Sequence, residues 1–358
     1  MKEIIIGPND AGRRLDRFLR KYFRNASLSE IYKLIRKDIK VDGRRRNEAY
    51  MLQDGETVTF YISDELLDRF TGAQSKTDAS RSSGAKSGLS RNTGDSATAG
   101  GRVHAKKQFS IVYEDEHILI ADKPFGLLTH GDSQEKKNHL ANQVKDYLIE
   151  RGEFNPRAER VFSPAPANRI DRNTTGLVLF GKTAEALKGL NKIIRENKVK
   201  KFYLTIVCGK LESERKLTGT LVKDHRTNKV TVSTSENGTD GLEIVTIVRP
   251  QKHFRFKGQN LTLVEVELVT GRSHQIRAHL AGIGYPIIGD SKYATAASRR
   301  INEAMFRQMK LSTQLLHAYR LEFADELDIE GLEYLSGRKF TAELPDRFRE
   351  IELKITEG

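Results

Sequence analysis

Residues 71–107 cannot contribute to a packed core, and that fact divides the chain. Of these 37 positions, 23 are Gly, Ser, Thr or Ala, and almost none is large and apolar. Such a stretch buries too little surface to offset the entropy lost on ordering it. It is expected to be a flexible tether, part of a Gly/Ser/Ala-rich linker over 63–107. That leaves a small unit at 1–62 and a larger one at 108–358. The full 358 residues are too many for one small core and suit two such units.

The small unit carries its own periodic signals. Leu15, Phe18, Leu19, Tyr22 and Phe23 recur at helical spacing and line one face. Ser29 is a plausible cap for a second helix that buries Ile31, Leu34 and Ile35. Asp42-Gly43 after Ile39-Lys40-Val41 is a tight-turn signal, and Thr57 to Ile62 reads as a closing strand. This unit has a formal charge of +5, from 14 Lys/Arg against 9 Asp/Glu.

From Phe109 onward short strands alternate with helices. Ser110–Tyr113 and His117–Ala121 read as a hairpin, and Thr183 caps a helix with Leu187, Leu190, Ile193 and Ile194 on one face. Strands are expected at 201–207, 229–233, 242–248 and 261–269. Ser273 is the expected cap of a helix running to Ala281 and ended by Gly282 or Gly284. The mosaic implies an α+β fold with much antiparallel sheet.

The whole chain carries a formal +13 and a pI near 9.6, so a polyanionic partner is expected. One cysteine, Cys208, rules out an internal disulfide and a Cys-based zinc site, and it suits a reducing cytosol. Met1 to Gly7 has too short an apolar run for a signal peptide, and no window approaches a membrane span. A cytoplasmic protein with no membrane contact is expected. His274 and His279 are five apart, about 500° around a helix, so their rings do not share a face for a metal. No phosphate-binding glycine loop is present, and no paired carboxylates mark a glycosidase. DNA binding finds no helix-turn-helix or zinc signature.

The stretch with the most chemistry is Asn168-Arg169-Ile170-Asp171-Arg172-Asn173-Thr174-Thr175-Gly176. It sets one carboxylate between two guanidinium groups and runs into the apolar Leu177-Val178-Leu179-Phe180. A charged turn feeding a buried strand is one way to hold a reactive group on a rigid scaffold; a surface salt-bridge cluster is the plainer reading. Four more stretches decide between them. They are Lys123-Pro124-Phe125-Gly126, Lys201-Phe202-Tyr203, and Gly271-Arg272-Ser273-His274-Gln275-Ile276-Arg277-Ala278-His279 with Gly284-Tyr285-Pro286-Ile287-Ile288-Gly289-Asp290. The last is Leu316-His317-Ala318 with Leu321 and Phe323. In this order, over about residues 110–323, they resemble the motifs of the RluA/RluC/RluD family of RNA pseudouridine synthases. Residues 1–62 resemble the S-four-like RNA-binding domain, through Arg14-Leu15-Asp16-Arg17-Phe18-Leu19, Ile35-Arg36-Lys37 and Val41-Asp42-Gly43.

The resemblance implies a large, mixed, mostly antiparallel sheet with flanking helices and a central cleft, preceded by a small N-terminal α/β RNA-binding domain. It implies an isomerase that turns uridine into pseudouridine in structured RNA, without cofactor or metal. Asp171 is then the nucleophile, Arg277 its counter-charge, and Tyr203 the ring against the uracil face. Substrate-binding roles are implied for Arg169, Arg172, Arg272, His274, Gln275, Ile276 and Leu316, with Arg169 filling the space of an extruded base. RNA docking is implied for Arg14, Arg17, Lys33, Arg36, Lys37 and Arg44. Asn168 departs from the His usual in the family. Resemblance to the RluC and RluD branches points to large-subunit ribosomal RNA as substrate. A monomer is expected. The alternative is a non-catalytic RNA-binding or ribosome-assembly factor on the same fold, against which Asp171, Tyr203 and Arg277 stand intact. The basic segment 294–311 reads as a solvated helix rather than a substrate-specific insertion.

Overall fold

The computed structural model describes residues 1–72, 107–156, 159, 161–224, 229–233 and 242–357. The tether expected at 71–107 lies outside the described residues except at its two ends. The chain divides into two compact units, the first holding residues 1–72 and 148–163 among those described. Its strands β1 (Lys2–Ile5), β2 (Ile39–Val41) and β3 (Thr57–Phe60) form an antiparallel sheet in the order β1-β3-β2. Helices α1 (Leu15–Tyr22), α2 (Leu28–Lys37) and α3 (Asp64–Thr71) complete it. The expected face of α1 is buried, and Ile31, Leu34 and Ile35 join the same core. The cap of α2 is Ser27, not Ser29: Ser27 and Glu30 form a reciprocal capping box. Asp42 and Gly43 both have positive φ, 46° and 70°, as a tight turn of the I′ kind requires.

The boundaries read from sequence differ from this division in two places. Helix α3 occupies the start of the expected linker, with Leu67 and Phe70 in the core and Ser63 capping it. Residues 148–163 belong to the first unit: Val161 enters its core, its N–H reaches Asp10 Oδ2 at 3.3 Å, and Asn9 donates to Glu159. Composition cannot register a pairing across so many residues.

The second unit is built on strands β4 (Ser110–Glu114), β5 (Ile118–Lys123), β6 (Ala165–Pro166), β7 (Thr175–Gly181), β8 (Val199–Cys208), β9 (Arg215–Asp224), β10 (Lys229–Ser233), β11 (Leu242–Phe256), β12 (Gln259–Leu268), β13 (Leu316–Phe323) and β14 (Lys339–Thr341). They form one sheet in the order β10-β9-β11-β12-β8-β13-β7-β5-β4, with β14 on β13 and β6 on β7. Every pairing is antiparallel except β13 with β7. The helices are α4 (Leu140–Glu150, which belongs to this unit as far as Tyr147), α5 (Ala184–Arg195), α6 (Gln275–Gly282), α7 (Ala296–Met309) and α8 (Asp346–Glu357). Thr183 caps α5, whose Leu190 and Ile193 pack with Ile118, Leu179 and Phe323. Helices α7 and α8 cover the other half through Ile301, Met305, Phe348 and Ile351. Segment 294–311 is therefore half-buried and amphipathic, not a solvated helix. Its Arg299, Arg300 and Arg307 face solvent while Ile301, Met305 and Met309 are core.

The parallel junction is narrow. Only His317 with Thr175 and Ala318 with Gly176 are in register. Gly176 sits at φ 109°, and a Cβ there would stand 2.1 Å from the Ala318 carbonyl oxygen. Thr175 Oγ1 and His317 Nδ1 are 2.8 Å apart and buried.

Burial pushes the His317 imidazole down to about 4. The unfolded chain therefore takes up a proton near pH 6.5 that the folded chain refuses until about 4, so stability falls as pH drops through that window. The expected contribution is up to about 3 kcal/mol at pH 4. Urea denaturation at pH 7, 5.5 and 4 checks it. His317→Asn, which keeps a polar atom near the Nδ1 position, should be less stable at pH 7 but lose distinctly less on acidification.

Candidate active site

Asp171 lies in the loop that enters β7, and that loop is pinned along its length. Asn168 Oδ1 accepts from Leu179 N at 2.8 Å, so the residue that departs from the family pattern fastens the loop to the strand it precedes. Thr129 Oγ1 donates to the Ile170 carbonyl at 2.9 Å, and Thr174 N closes a turn on the Asp171 carbonyl at 3.0 Å. Lys123 is fully buried, and its Nζ donates to the carbonyls of Pro124, Leu127 and Arg172 at 3.1, 2.7 and 3.0 Å. Burial pushes this ammonium down to about 7, against the raising charges of Asp171 and Asp122. Arg172 points away from Asp171 and donates from Nε to the Gly126 carbonyl at 3.1 Å. Neighbours in sequence, Asp171 and Arg172 are not an ion pair.

The counter-charge is Arg277, on α6. Its Nη1 donates to Asp171 Oδ2 at 3.1 Å, while Nε and Nη2 grip Asp290 at 2.7 and 3.0 Å. The two carboxylates differ in access: the Asp290 side chain is 1% exposed and that of Asp171 26%. Asp290 is thus a structural anchor, and Asp171 can be reached from the cleft. The guanidinium lies 5.1 Å from the Tyr293 ring centroid, and the Tyr293 hydroxyl is 3.0 Å from His274 Nδ1. His274 Nε2 stands 3.9 Å from Asp171 Oδ2. Burial lowers the His274 pKa, with the Asp171 charge opposing, so a neutral ring faces the carboxylate at neutral pH. His274, at φ 56°, is also the residue that opens α6. The expected Ser273 cap is absent, since the chain enters the helix through a left-handed residue with no side-chain cap.

Tyr203 is buried on β8, next to β13. Burial first, and then the Asp171 charge, raise its pKa, so the phenol stays protonated. Asp171 and Tyr203 line one small cavity of about 50 Å³ together with Arg169, Ile170, Thr174, Leu268, Arg272, His274, Gln275, Ile276 and Leu316. Except for Arg172 and Arg277, this gathers every catalytic and substrate-binding residue expected from sequence. Those two line the adjoining cavity of about 330 Å³ with Asp171 and His274. Arg169 and Arg272 are exposed at the rim.

Gln275 has a different role from the one expected. Its Oε1 accepts from Thr270 Oγ1 and Arg272 N, and its Nε2 donates to Val245 O and Thr246 Oγ1. With both ends of its amide engaged, Gln275 positions the Arg272 loop instead of offering a donor to a ligand. Sequence reasoning passed over Asp290, Tyr293 and Lys123 as site builders. The signal for Lys123 was present, a lysine that follows the apolar run Ile118–Ala121 after Asp122 and ends the same strand. Among the described residues no group of three or more His, Cys, Asp or Glu is placed to hold a metal, and no helix is long and apolar enough to cross a membrane.

The chain matches the family model of RNA pseudouridylate synthase over residues 117–282. It is 30% identical over 324 residues to the ribosomal large subunit pseudouridine synthase C of Vibrio parahaemolyticus, covering 90% of this chain and 88% of that one. The chain belongs to the RNA pseudouridine synthase family. It is accordingly an isomerase by class. A synthase D of Nitrosomonas europaea is 32% identical over 215 residues, 59% of this chain and 57% of its own. The fold is also that of human RNA pseudouridylate synthase domain containing 4, with a TM-score of 0.53 at 20% identity, over 68% of this chain and 92% of that one.

Removing Arg277 strands a buried carboxylate, whereas removing Arg172 frees one exposed carbonyl. Arg277→Ala is therefore expected to lower folding stability by about 3–5 kcal/mol. Arg172→Ala should cost under about 1 kcal/mol. Guanidinium denaturation of the two variants side by side makes the comparison, and equal losses would contradict the pairing.

Proposed function

We propose that the protein isomerises specific uridines to pseudouridine in structured large-subunit ribosomal RNA, with Asp171 as the nucleophile. The observation that carries this reading is the Asp171 carboxylate: open to a cleft, held by one N–H of an arginine that is itself anchored, and facing a buried tyrosine. The target base must leave the RNA stack to reach such a cavity. Asp171 attacks the anomeric carbon as the bond to uracil nitrogen 1 breaks. The uracil turns within the cleft, carbon 5 bonds to the anomeric carbon, and Asp171 is released. The proton on carbon 5 leaves and nitrogen 1 ends protonated, so atoms and electrons balance with no redox partner. Tyr203 supplies a stacking face. Its protonated hydroxyl takes part in moving the carbon-5 proton only by giving up its own at the same time. Arg169 and Arg272 at the rim suit the displaced RNA strand.

The reading extends to the rest of the chain. Residues 1–62 dock RNA, 108–358 hold the chemistry, and the protein works as a cytoplasmic monomer without metal or cofactor. Arg17, Lys33, Arg36, Lys37 and Arg44 are exposed, as docking needs. Arg14 is less suited, because it makes two hydrogen bonds to Asp16 at 3.1 and 2.9 Å. The relatives named as synthases of the large ribosomal subunit support this substrate over other RNAs.

Asp171→Asn keeps the size of the side chain and removes the nucleophile. It is expected to abolish tritium release from uridine labelled at carbon 5 while binding RNA with unchanged affinity. Release by a folded Asp171→Asn protein would sink the mechanism. Docking by the N-terminal unit has a separate test. Replacing Arg36 and Lys37 by Gln should weaken binding to the ribosomal RNA and reduce the salt slope by about 0.7–0.9 for each phosphate left without its cation. Filter binding at several salt concentrations reads both, and turnover at saturating RNA should stay at the wild-type rate.

A further inference from the structure

We propose that a second cavity, beside the catalytic cleft, is a subsite for one unpaired nucleotide of the RNA adjoining the target uridine, with Phe125 as the stacking surface for its base. The inference rests on RNA being the substrate. The cavity encloses about 350 Å³, within the range of pockets that hold small ligands. Leu311, Leu315 and Phe348 wall it, and Phe125 stands at its mouth, 61% exposed. A phenylalanine left so far in solvent at the edge of a site is more informative than scattered surface apolar residues.

The ring is presented by a fixed turn. Lys123 Nζ holds the carbonyls of Pro124 and Leu127 on either side of Phe125. Gly126 supplies the positive φ of 81°, and its carbonyl is taken by Arg172. The turn that carries Phe125 is thus tied to the same loop that carries Asp171. The opposite wall is equally firm. A Cβ on Gly289 would meet the Thr313 carbonyl oxygen at 2.4 Å and the Leu311 side chain at 2.6 Å, so the Thr313 backbone and the Leu311 side chain lie directly against the residue before Asp290.

Two features choose the occupant. The first is continuity: Leu316 lines both this cavity and the Asp171–Tyr203 cavity, and Thr175 at the start of β7 lines it as well. An RNA strand whose uridine sits at Asp171 has its next nucleotide within reach. The second is charge. Lys310 and Arg347 are exposed at the rim of the apolar walls. A base against an aromatic face with its phosphate near a cation is the recurring way single-stranded RNA is held. An aliphatic ligand would not need the cations, and a free phosphate would not need the walls.

The test uses the full-length protein and a ribosomal RNA stem-loop containing a uridine that the wild type converts. Each of the two nucleotides on either side of that uridine is replaced in turn by an abasic residue, and kcat/KM is measured by tritium release with wild type and Phe125→Ala. At one position, base removal and Phe125→Ala should each lower kcat/KM about tenfold or more, and together no further than either alone. Lys310→Asn, which tolerates the left-handed backbone at that position (φ 53°), should make the salt slope shallower by about 0.7–0.9. If Phe125→Ala leaves kcat/KM on intact RNA unchanged, or the losses multiply at all four positions, the subsite is overturned. If the wild type converts no uridine in ribosomal RNA, the functional reading falls and takes the subsite with it.

Discussion

The catalytic unit depends on a parallel contact two residues long. Strand β7 meets β13 only through Thr175 with His317 and Gly176 with Ala318, yet this contact joins β4, β5, β6 and β7 to the seven strands on the other side. Asp171 comes from the β7 side, and Tyr203 and Arg277 come from the far side. Their meeting is fixed by how closely the two strands approach. That approach is possible because residue 176 has no side chain, and the buried Thr175–His317 hydrogen bond fixes the register. Lys123 is opposite Gly176 on β5, so the buried ammonium reaches the Asp171 loop from the same point.

The local part of this design was legible in the sequence. The run Leu177–Phe180 reads as a buried strand, and every residue of β7 is buried. Leu15, Phe18, Leu19 and Tyr22 declare their face by spacing alone, and Thr183 is the cap its position suggests. Two caps were misplaced for different reasons. Ser27 with Glu30 carries the capping-box spacing, so the better signal lay two residues before Ser29. At α6 a non-glycine residue opens the helix in a left-handed conformation, which is uncommon even for His, one of the residues enriched there, so the Ser before it looks like the cap. The motif stretches located the cleft, but they did not assign work within it. Gln275 looks like a ligand donor until its four hydrogen bonds are traced to Thr270, Arg272, Val245 and Thr246. The attachment of 148–163 to the first unit depends on contacts across about 150 positions, which no local pattern encodes.

Burial sorts the ionisable groups around Asp171 into those that hold charge and those that do not. His274 and Tyr203 are neutral neighbours, shifted by desolvation in opposite pKa directions to the same uncharged result. Lys123 is poised near neutrality although it is surrounded by carbonyls. Arg277 is the fixed cation. A carboxylate in such surroundings has one firm partner and two polar but uncharged faces, an arrangement that leaves an oxygen available to a substrate.

The lopsided grip on Arg277 has a dynamic consequence. In the proposed reaction the negative charge of Asp171 vanishes when its oxygen bonds to the sugar and returns when that bond breaks. A guanidinium that depended on Asp171 alone would swing away and have to be recaptured in every cycle. Here two of its N–H groups stay on Asp290 throughout, with the Tyr293 ring beside it. The dipoles that greet the returning carboxylate are therefore the ones it left, and the cleft undergoes little reorganisation at the steps where charge appears and disappears.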